Sequence, residues 1–136
     1  MSVTFTPKLL WVTQTQPAGS RTARELRRLG YFTLAVPLIR SRVTSRSPSD
    51  ERRSVWMFVA AVRDALSYLP RIDGVLIYSV EEARRFRRLL ARRSWQGTIF
   101  CMTDDCAAEL RQCEGVTVLV SGSAEEDAMF ALVRQW

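Results

Sequence analysis

Several residue types that enzymes rely on are scarce or missing in this chain. It has no histidine and only three cysteines among its 136 residues, which excludes histidine-based catalytic triads, and the cysteine spacing matches no common zinc or iron–sulfur motif. No apolar run approaches the roughly 20 residues that a membrane-spanning helix needs. Residues 1–8 also lack the basic and apolar regions of a signal peptide. We therefore expect a cytoplasmic protein with reduced cysteines, no bound metal and no membrane partner.

Lysine is almost absent as well, so nearly all positive charge comes from arginine. The chain carries 20 basic and 14 acidic residues, giving a net charge of +6, and Lys8 is its single lysine. Most arginines fall on predicted outer helix faces, where solvation explains them. Nucleic-acid binding favours basic residues interleaved with exposed aromatic ones, or a known motif, and neither is present. The charge suits an anionic small molecule, and no nucleic-acid partner is expected.

Short apolar runs alternate with helical patterns along the chain. The predicted strands are residues 9–12, 32–36, 74–78, 98–102 and 116–120, and five predicted helices alternate with them. This alternation predicts a three-layer α/β sandwich with a five-stranded parallel sheet in the flavodoxin-like order 2-1-3-4-5. The length fits a single domain, 1–136. Within it, the polar and basic residues 40–50 predict an exposed linker or loop.

Hydroxyl side chains follow nearly every predicted strand. They are Thr13, Thr15, Ser79, Thr103, Ser121 and Ser123. Several fit helix capping, because Ser79 with Glu82 and Ser123 with Glu126 have the spacing of a capping box. They also lie where free backbone N–H groups at helix N-termini attract anions. The loop at residues 13–19, which follows the first strand, is the first candidate for ligand binding.

Other functions of this fold lack their characteristic residues. A phosphoacceptor receiver domain needs acidic residues after its first strand and an aspartate after its third, and this chain has Thr13, Gln14 and Tyr78 there. There is no Walker A or dinucleotide-binding glycine motif. Thr13-Gln14-Thr15 gives only a hint of a flavin mononucleotide loop. We therefore expect no cofactor.

Several motifs, taken in order, resemble the uroporphyrinogen-III synthase family. The family's first strand ends V-T-R-P, its helix ends L-x-x-L-G and its next strand ends A-P-L-I. The corresponding residues here are 12–14, 26–30 and 35–39. Residues 73–79 resemble the family's D-x-V/L-hydrophobic-hydrophobic-T-S, and residues 103–110 its G-P-x-T-A-x-x-L. Departures are Gln14 for arginine, Tyr78 for threonine, Thr103 for glycine and Cys106 for threonine, and the chain corresponds to one of the family's two domains.

The resemblance implies a lyase of tetrapyrrole (heme) biosynthesis. Family members convert the anionic linear tetrapyrrole hydroxymethylbilane to uroporphyrinogen III without a cofactor, binding it in a cleft between their two domains. The resemblance implies substrate-carboxylate contacts from Thr13, Gln14, Ser79, Thr103 and Cys106. It also implies that Tyr78 donates a hydrogen bond to a ring or leaving-group oxygen. A homodimer would complete the cleft.

The sequence leaves two other functions open. The chain is either an active synthase or a non-catalytic relative that kept the fold and binds a tetrapyrrole or a protein partner. Alternatively, it is a flavodoxin-like binding module for another anionic ligand.

Overall fold

Five strands of four residues each alternate with five helices in the computed structural model, which describes residues 7–40 and 47–136. The elements are β1 (Leu9–Val12), α1 (Ala18–Arg28), β2 (Phe32–Ala35), α2 (Pro48–Ser67), a 3₁₀ turn (Leu69–Arg71), β3 (Gly74–Ile77), α3 (Val80–Leu90), β4 (Thr98–Cys101), α4 (Asp104–Leu110), β5 (Thr117–Val120) and α5 (Glu126–Arg134).

The strands form one parallel sheet in the order β2-β1-β3-β4-β5. β1 pairs with β2 on one side and with β3 on the other, with Leu10 opposite Gly74. The central strand β3 is buried at all four positions, as its continuous apolar run predicts for a strand covered on both faces. The predicted α/β sandwich with flavodoxin-like strand order is confirmed.

Alternate residues of each strand enter two separate cores, because successive side chains of a strand point to opposite faces. Trp11, Val75 and Ile77 pack with α2, α3 and α4 on one face. Leu10 and Leu76 pack with α1 and α5 on the other. The helices therefore form the two outer layers, and the helices that follow β1 and β3 lie on opposite faces of the sheet.

An aromatic row fills the centre of the first core. The ring of Phe86 lies 5.8 Å from Trp11 and 5.7 Å from Trp95, in edge-to-face geometry with both. Each indole N–H has a backbone partner: Trp11 donates to the Val36 carbonyl at 2.8 Å and Trp95 to the Ile72 carbonyl at 2.9 Å. The two tryptophans are therefore buried without an unpaired donor.

The N-terminal part of α2 differs from the sequence prediction. The helix begins at Pro48, and the Ser47 hydroxyl caps it by accepting from the Asp50 N–H at 3.2 Å. The last residues of the predicted linker or loop 40–50 are therefore helical, since Ser-Pro suits an N-cap and first helical position. Residues 41–46 lie outside the described residues.

The predicted N-terminal cap of the last helix was wrong. α5 begins at Glu126 and its N-cap Glu125 makes no side-chain capping bond, so the predicted capping box of Ser123 and Glu126 does not form. The reason is local, because the Ser121 hydroxyl donates to the Ser123 carbonyl and makes a tight turn instead.

In residues 7–40 and 47–136, every helix falls short of the length or the apolar character needed to cross a membrane.

The aromatic row gives a test of the fold. Phe86→Ala removes the ring between Trp11 and Trp95, and we expect it to lower the free energy of unfolding by about 3–5 kcal/mol. Phe32, 59% exposed on the edge strand β2, is the matched control, and Phe32→Ala should lower it by less than about 1 kcal/mol. Urea unfolding followed by circular dichroism measures both. Equal losses would show that Phe86 is not central to the core.

Candidate functional site

A crevice opens at the carboxyl edge of the sheet between β1 and β3. α1 follows β1 on one face and α3 follows β3 on the other, so the two connections separate there and leave room for a ligand. A cavity of about 320 Å³ occupies this position. Its lining residues are Gln14, Thr15, Ala18, Ile39, Tyr78, Ser79, Glu81 and Glu82. We call it the edge cavity.

The structure brings together three of the residues predicted to bind substrate or act in catalysis. Gln14, Tyr78 and Ser79 line the edge cavity. Gln14 follows β1, and the other two follow β3, so the neighbouring strands place them side by side.

Thr13, Thr103 and Cys106 lie elsewhere and have partners within the protein. Thr13 is fully buried, and its hydroxyl donates to the Leu76 carbonyl at 2.6 Å, which joins the end of β1 to β3. The Thr103 hydroxyl caps α4 by accepting from the Cys106 N–H at 3.3 Å. Cys106 is itself buried in the core. Burial therefore leaves Thr13 and Cys106 no surface for a ligand, and both act structurally in this structure.

A polar cluster behind the edge cavity leaves Gln14 free for a ligand. The Thr22 hydroxyl lies 2.6 Å from the Gln14 Oε1 and 2.6 Å from the Glu126 Oε1. A hydroxyl has one proton, so these two oxygens compete for it. The ionised carboxylate is the stronger acceptor, and Thr22 therefore favours Glu126. The Gln14 amide can then turn to a ligand without leaving Thr22 unpaired.

Tyr78 offers a hydrogen-bond donor that the protein does not use. Its hydroxyl oxygen is buried and has no hydrogen-bond partner among the described residues. Burial, and then the charge of Glu126, raises the pKa of Tyr78 far above its ordinary value of 10.0. The Thr22 hydroxyl opposes that shift, but it is directed at Gln14 and Glu126. Tyr78 is therefore a neutral donor at physiological pH and not a base.

Glu82 holds the strand end and the start of α3 together. The Ser79 hydroxyl accepts from the Glu82 N–H at 3.2 Å, as the predicted capping box requires. The carboxylate of Glu82 reaches one residue further back and accepts from the Tyr78 N–H at 2.9 Å. Burial raises the pKa of this carboxyl, and hydrogen bonds from the backbone N–H groups of Tyr78 and Ser79 oppose the rise.

Arginines line a second cavity, of about 430 Å³, beside the first. Its lining residues are Leu38, Ile39, Arg40, Phe58, Glu81, Arg84, Arg85 and Arg88. We call it the arginine groove. It shares Ile39 and Glu81 with the edge cavity, so the two adjoin.

Two of the groove arginines are free to bind an anion. Arg84 pairs with Glu109 on α4 at 3.1 Å, and Arg40 pairs with Glu51 on α2. Arg85 and Arg88 make no ion pair with any described residue. Arg40 keeps a further buried nitrogen, Nη1, which has no hydrogen-bond partner among the described residues.

Sequence reasoning missed the arginine groove and treated these arginines as a solvated helix face. The available signal was the spacing of residues 81, 84, 85 and 88, which places them on one side of a helix. The spacing alone does not show which part of the protein this side of the helix contacts. The contact with the segment after β2 depends on the tertiary fold.

In the part of the chain that the structure describes, no three histidine, cysteine or acidic side chains are grouped as a metal ion would require.

Comparison with known proteins assigns no family. The sequence matches no protein-family model and none of the curated proteins. Among solved structures, the chain is similar to a protein of unknown function from Vibrio parahaemolyticus, with 17% sequence identity and a TM-score of 0.39. The similarity covers 83% of this chain and 68% of that chain. Similarity at this level bears on neither ligand nor activity.

Glu82 gives a pH-dependent test of the site. Because its folded-state pKa is raised above the ordinary value of 4.5, the folded protein holds this proton more tightly than the unfolded chain does. Its contribution to the free energy of unfolding therefore falls as the pH rises through the interval just above 4.5. Glu82→Gln cannot titrate but still accepts the Tyr78 N–H, so it should gain stability relative to wild type across that interval and then level off.

Urea unfolding at a series of pH values measures this difference. The control is Gln112→Ala, at an exposed side chain that does not titrate, and its difference from wild type should stay constant over the same interval. A flat difference for Glu82→Gln would contradict the expected shift.

Proposed function

We propose that the edge cavity and the arginine groove together bind an anionic linear tetrapyrrole, and that the chain is a uroporphyrinogen-III synthase-like protein acting on hydroxymethylbilane. One observation carries the ligand class. In the described residues, the only buried side-chain nitrogen or oxygen atoms without a hydrogen-bond partner are Arg40 Nη1 and the Tyr78 hydroxyl. Arg40 lines the arginine groove and Tyr78 lines the edge cavity, and both of the unpaired atoms are donors.

Unpaired buried donors favour a ligand rich in acceptor oxygens. A buried donor without a partner costs about 1–3 kcal/mol, and a ligand oxygen that accepts from it recovers that energy. Arg85 and Arg88 add guanidinium groups suited to carboxylates. The two adjoining cavities fit an extended ligand with several carboxylates better than a single small ion.

In this proposal the protein acts mainly by positioning its substrate. The arginines hold carboxylates so that the two ends of the linear tetrapyrrole approach each other, which lowers the entropic part of the barrier to ring closure. When the bond from carbon to the hydroxymethyl oxygen breaks, the pyrrole nitrogen that expels this oxygen gives up its N–H proton, and the oxygen leaves as water. Tyr78 donates a hydrogen bond to the departing oxygen. Its raised pKa suits this task because the phenol stays protonated.

One observation favours the alternative of a non-catalytic relative that binds the tetrapyrrole without converting it. Glu81 and Glu82 line the edge cavity, and none of its lining residues in the described part of the chain is an arginine. Acidic side chains there repel substrate carboxylates from Tyr78 and confine the anionic part of the ligand to the arginine groove.

An isomer assay separates these two functions. The purified chain is incubated with freshly generated hydroxymethylbilane, and the porphyrins are oxidised and separated by chromatography. A synthase yields isomer III, whereas the spontaneous reaction yields isomer I. Isomer I alone, in conditions where a two-domain synthase forms isomer III, would exclude the synthase and leave the binding relative.

The groove arginines give a prediction for binding. Arg85→Gln together with Arg88→Gln should weaken binding of a linear tetrapyrrole by about tenfold or more, because charged hydrogen bonds to carboxylates are lost. Quenching of tryptophan fluorescence measures the affinity. Arg24→Gln with Arg71→Gln removes the same charge outside both cavities and should leave binding nearly unchanged.

Failure of the wild-type chain to bind any linear tetrapyrrole would contradict the proposed ligand. Tight binding of a different polyanion that also depends on Arg85 and Arg88 would instead favour a flavodoxin-like module for another anion.

Tyr78→Phe separates ligand binding from stability. Because the hydroxyl has no partner, its removal should leave the free energy of unfolding unchanged or raise it by up to about 1 kcal/mol. Tetrapyrrole affinity or turnover should fall, since the ligand loses its donor. Thermal unfolding and the assays above measure the two effects. A clear loss of stability would mean that the protein itself uses this hydroxyl.

A further inference from the structure

Apolar side chains are exposed along one side of α2. Val55, Trp56 and Val59 are 39%, 66% and 41% exposed. With Arg52 and Arg63 they recur at intervals of three and four residues, which places all five on the same side of the helix. We call these five residues the α2 stripe. Together with Glu51 they line a surface concavity with a volume of about 470 Å³.

The α2 stripe is not the side that α2 uses to join the domain. Val62 and Ala65 are the buried residues of this helix, and Phe58 and Leu66 pack against the same core. The helix is therefore already docked through its core-facing side, and the stripe lies next to that side and is exposed. Exposed tryptophan among aliphatic residues, with charged residues at both ends, is the composition of a protein interface.

We propose that the α2 stripe binds a second copy of this chain in an antiparallel helix pair. A two-fold interface requires a surface that complements itself. The two-fold axis crosses the helix pair at the level of residue 57. Val55 of one copy then faces Val59 of the second copy, and Glu51 faces Arg63 of the second copy. Trp56 lies close to the axis, where interface tryptophans contribute most.

Charge selects this arrangement over others. A parallel pair would set Arg52 against Arg52 of the second copy and Arg63 against its own equivalent, which is repulsive. In the antiparallel pair, Glu51 keeps its bond from Arg40 through Oε1, and its second carboxylate oxygen accepts from Arg63 of the second copy. This pairing also opposes the two helix dipoles. Asp50 and Glu51 in the first turn disfavour an anionic membrane surface as the occupant. The stripe does not include Arg85, Arg88 or Tyr78, although Glu51 beside it also pairs with Arg40 of the arginine groove.

A pair of neighbouring substitutions tests the interface. Trp56→Glu places a charge near the axis, and Met57→Glu makes the same change at a side chain that is 68% exposed outside the α2 stripe. Sedimentation equilibrium of the full chain over a wide concentration range should show a wild-type dimer. Trp56→Glu should raise the dimer dissociation constant at least about tenfold, and Met57→Glu should leave it nearly unchanged.

A second pair tests the charge arrangement. Arg63→Glu should weaken the dimer severalfold, because it brings two acidic residues together, whereas Arg53→Glu changes the net charge equally outside the stripe and should not. Circular dichroism confirms that each variant is folded. A wild-type chain that stays monomeric throughout overturns the proposal. So does a dimer that Trp56→Glu and Met57→Glu affect equally.

Discussion

Burial of both faces of the parallel sheet is the constraint on which the rest of the structure depends. A central strand such as β3, buried at all four positions, needs helices on both sides. The chain supplies α1 and α5 to one face and α2, α3 and α4 to the other. The helices after β1 and β3 pack on opposite faces of the sheet, so their connections diverge and leave a crevice between these strands. The crevice therefore follows from covering both faces and requires no additional structural element.

Hydroxyl groups and unpaired donors have different roles around this crevice. Thr13 and Thr103 have internal partners and hold strand ends and helix starts in place. In the described part of the chain, the buried side-chain atoms left without a hydrogen-bond partner are the Tyr78 hydroxyl and one nitrogen of Arg40. Hydroxyls that are hydrogen-bonded within the protein thus hold the site in place, and a few donors remain without acceptors. In this arrangement the scaffold stays ordered, and a ligand supplies the missing acceptors.

The elements of the fold were predictable because their signals are local. The short apolar run at residues 74–77 ends just before a helix cap, which favours a buried strand, and Ser79 caps that helix by contacts within three residues. The candidate site was only partly predictable. The sequence does not show whether the Thr13 hydroxyl donates to a backbone carbonyl 63 positions away or to a ligand. Nor can it tell that the face of α3 with Arg85 and Arg88 meets the segment after β2.

Lys8 lies at the other edge of the sheet, just before β1, and its ammonium stands 3.8 Å from the centre of the Trp136 ring. It carries the chain's single side-chain amine. Reagents that couple to amines therefore have one side-chain point of attachment, beside an indole and opposite the edge cavity. A chain immobilised through Lys8 would present its carboxyl edge to the solution, and a dye placed there would report on the amino edge alone.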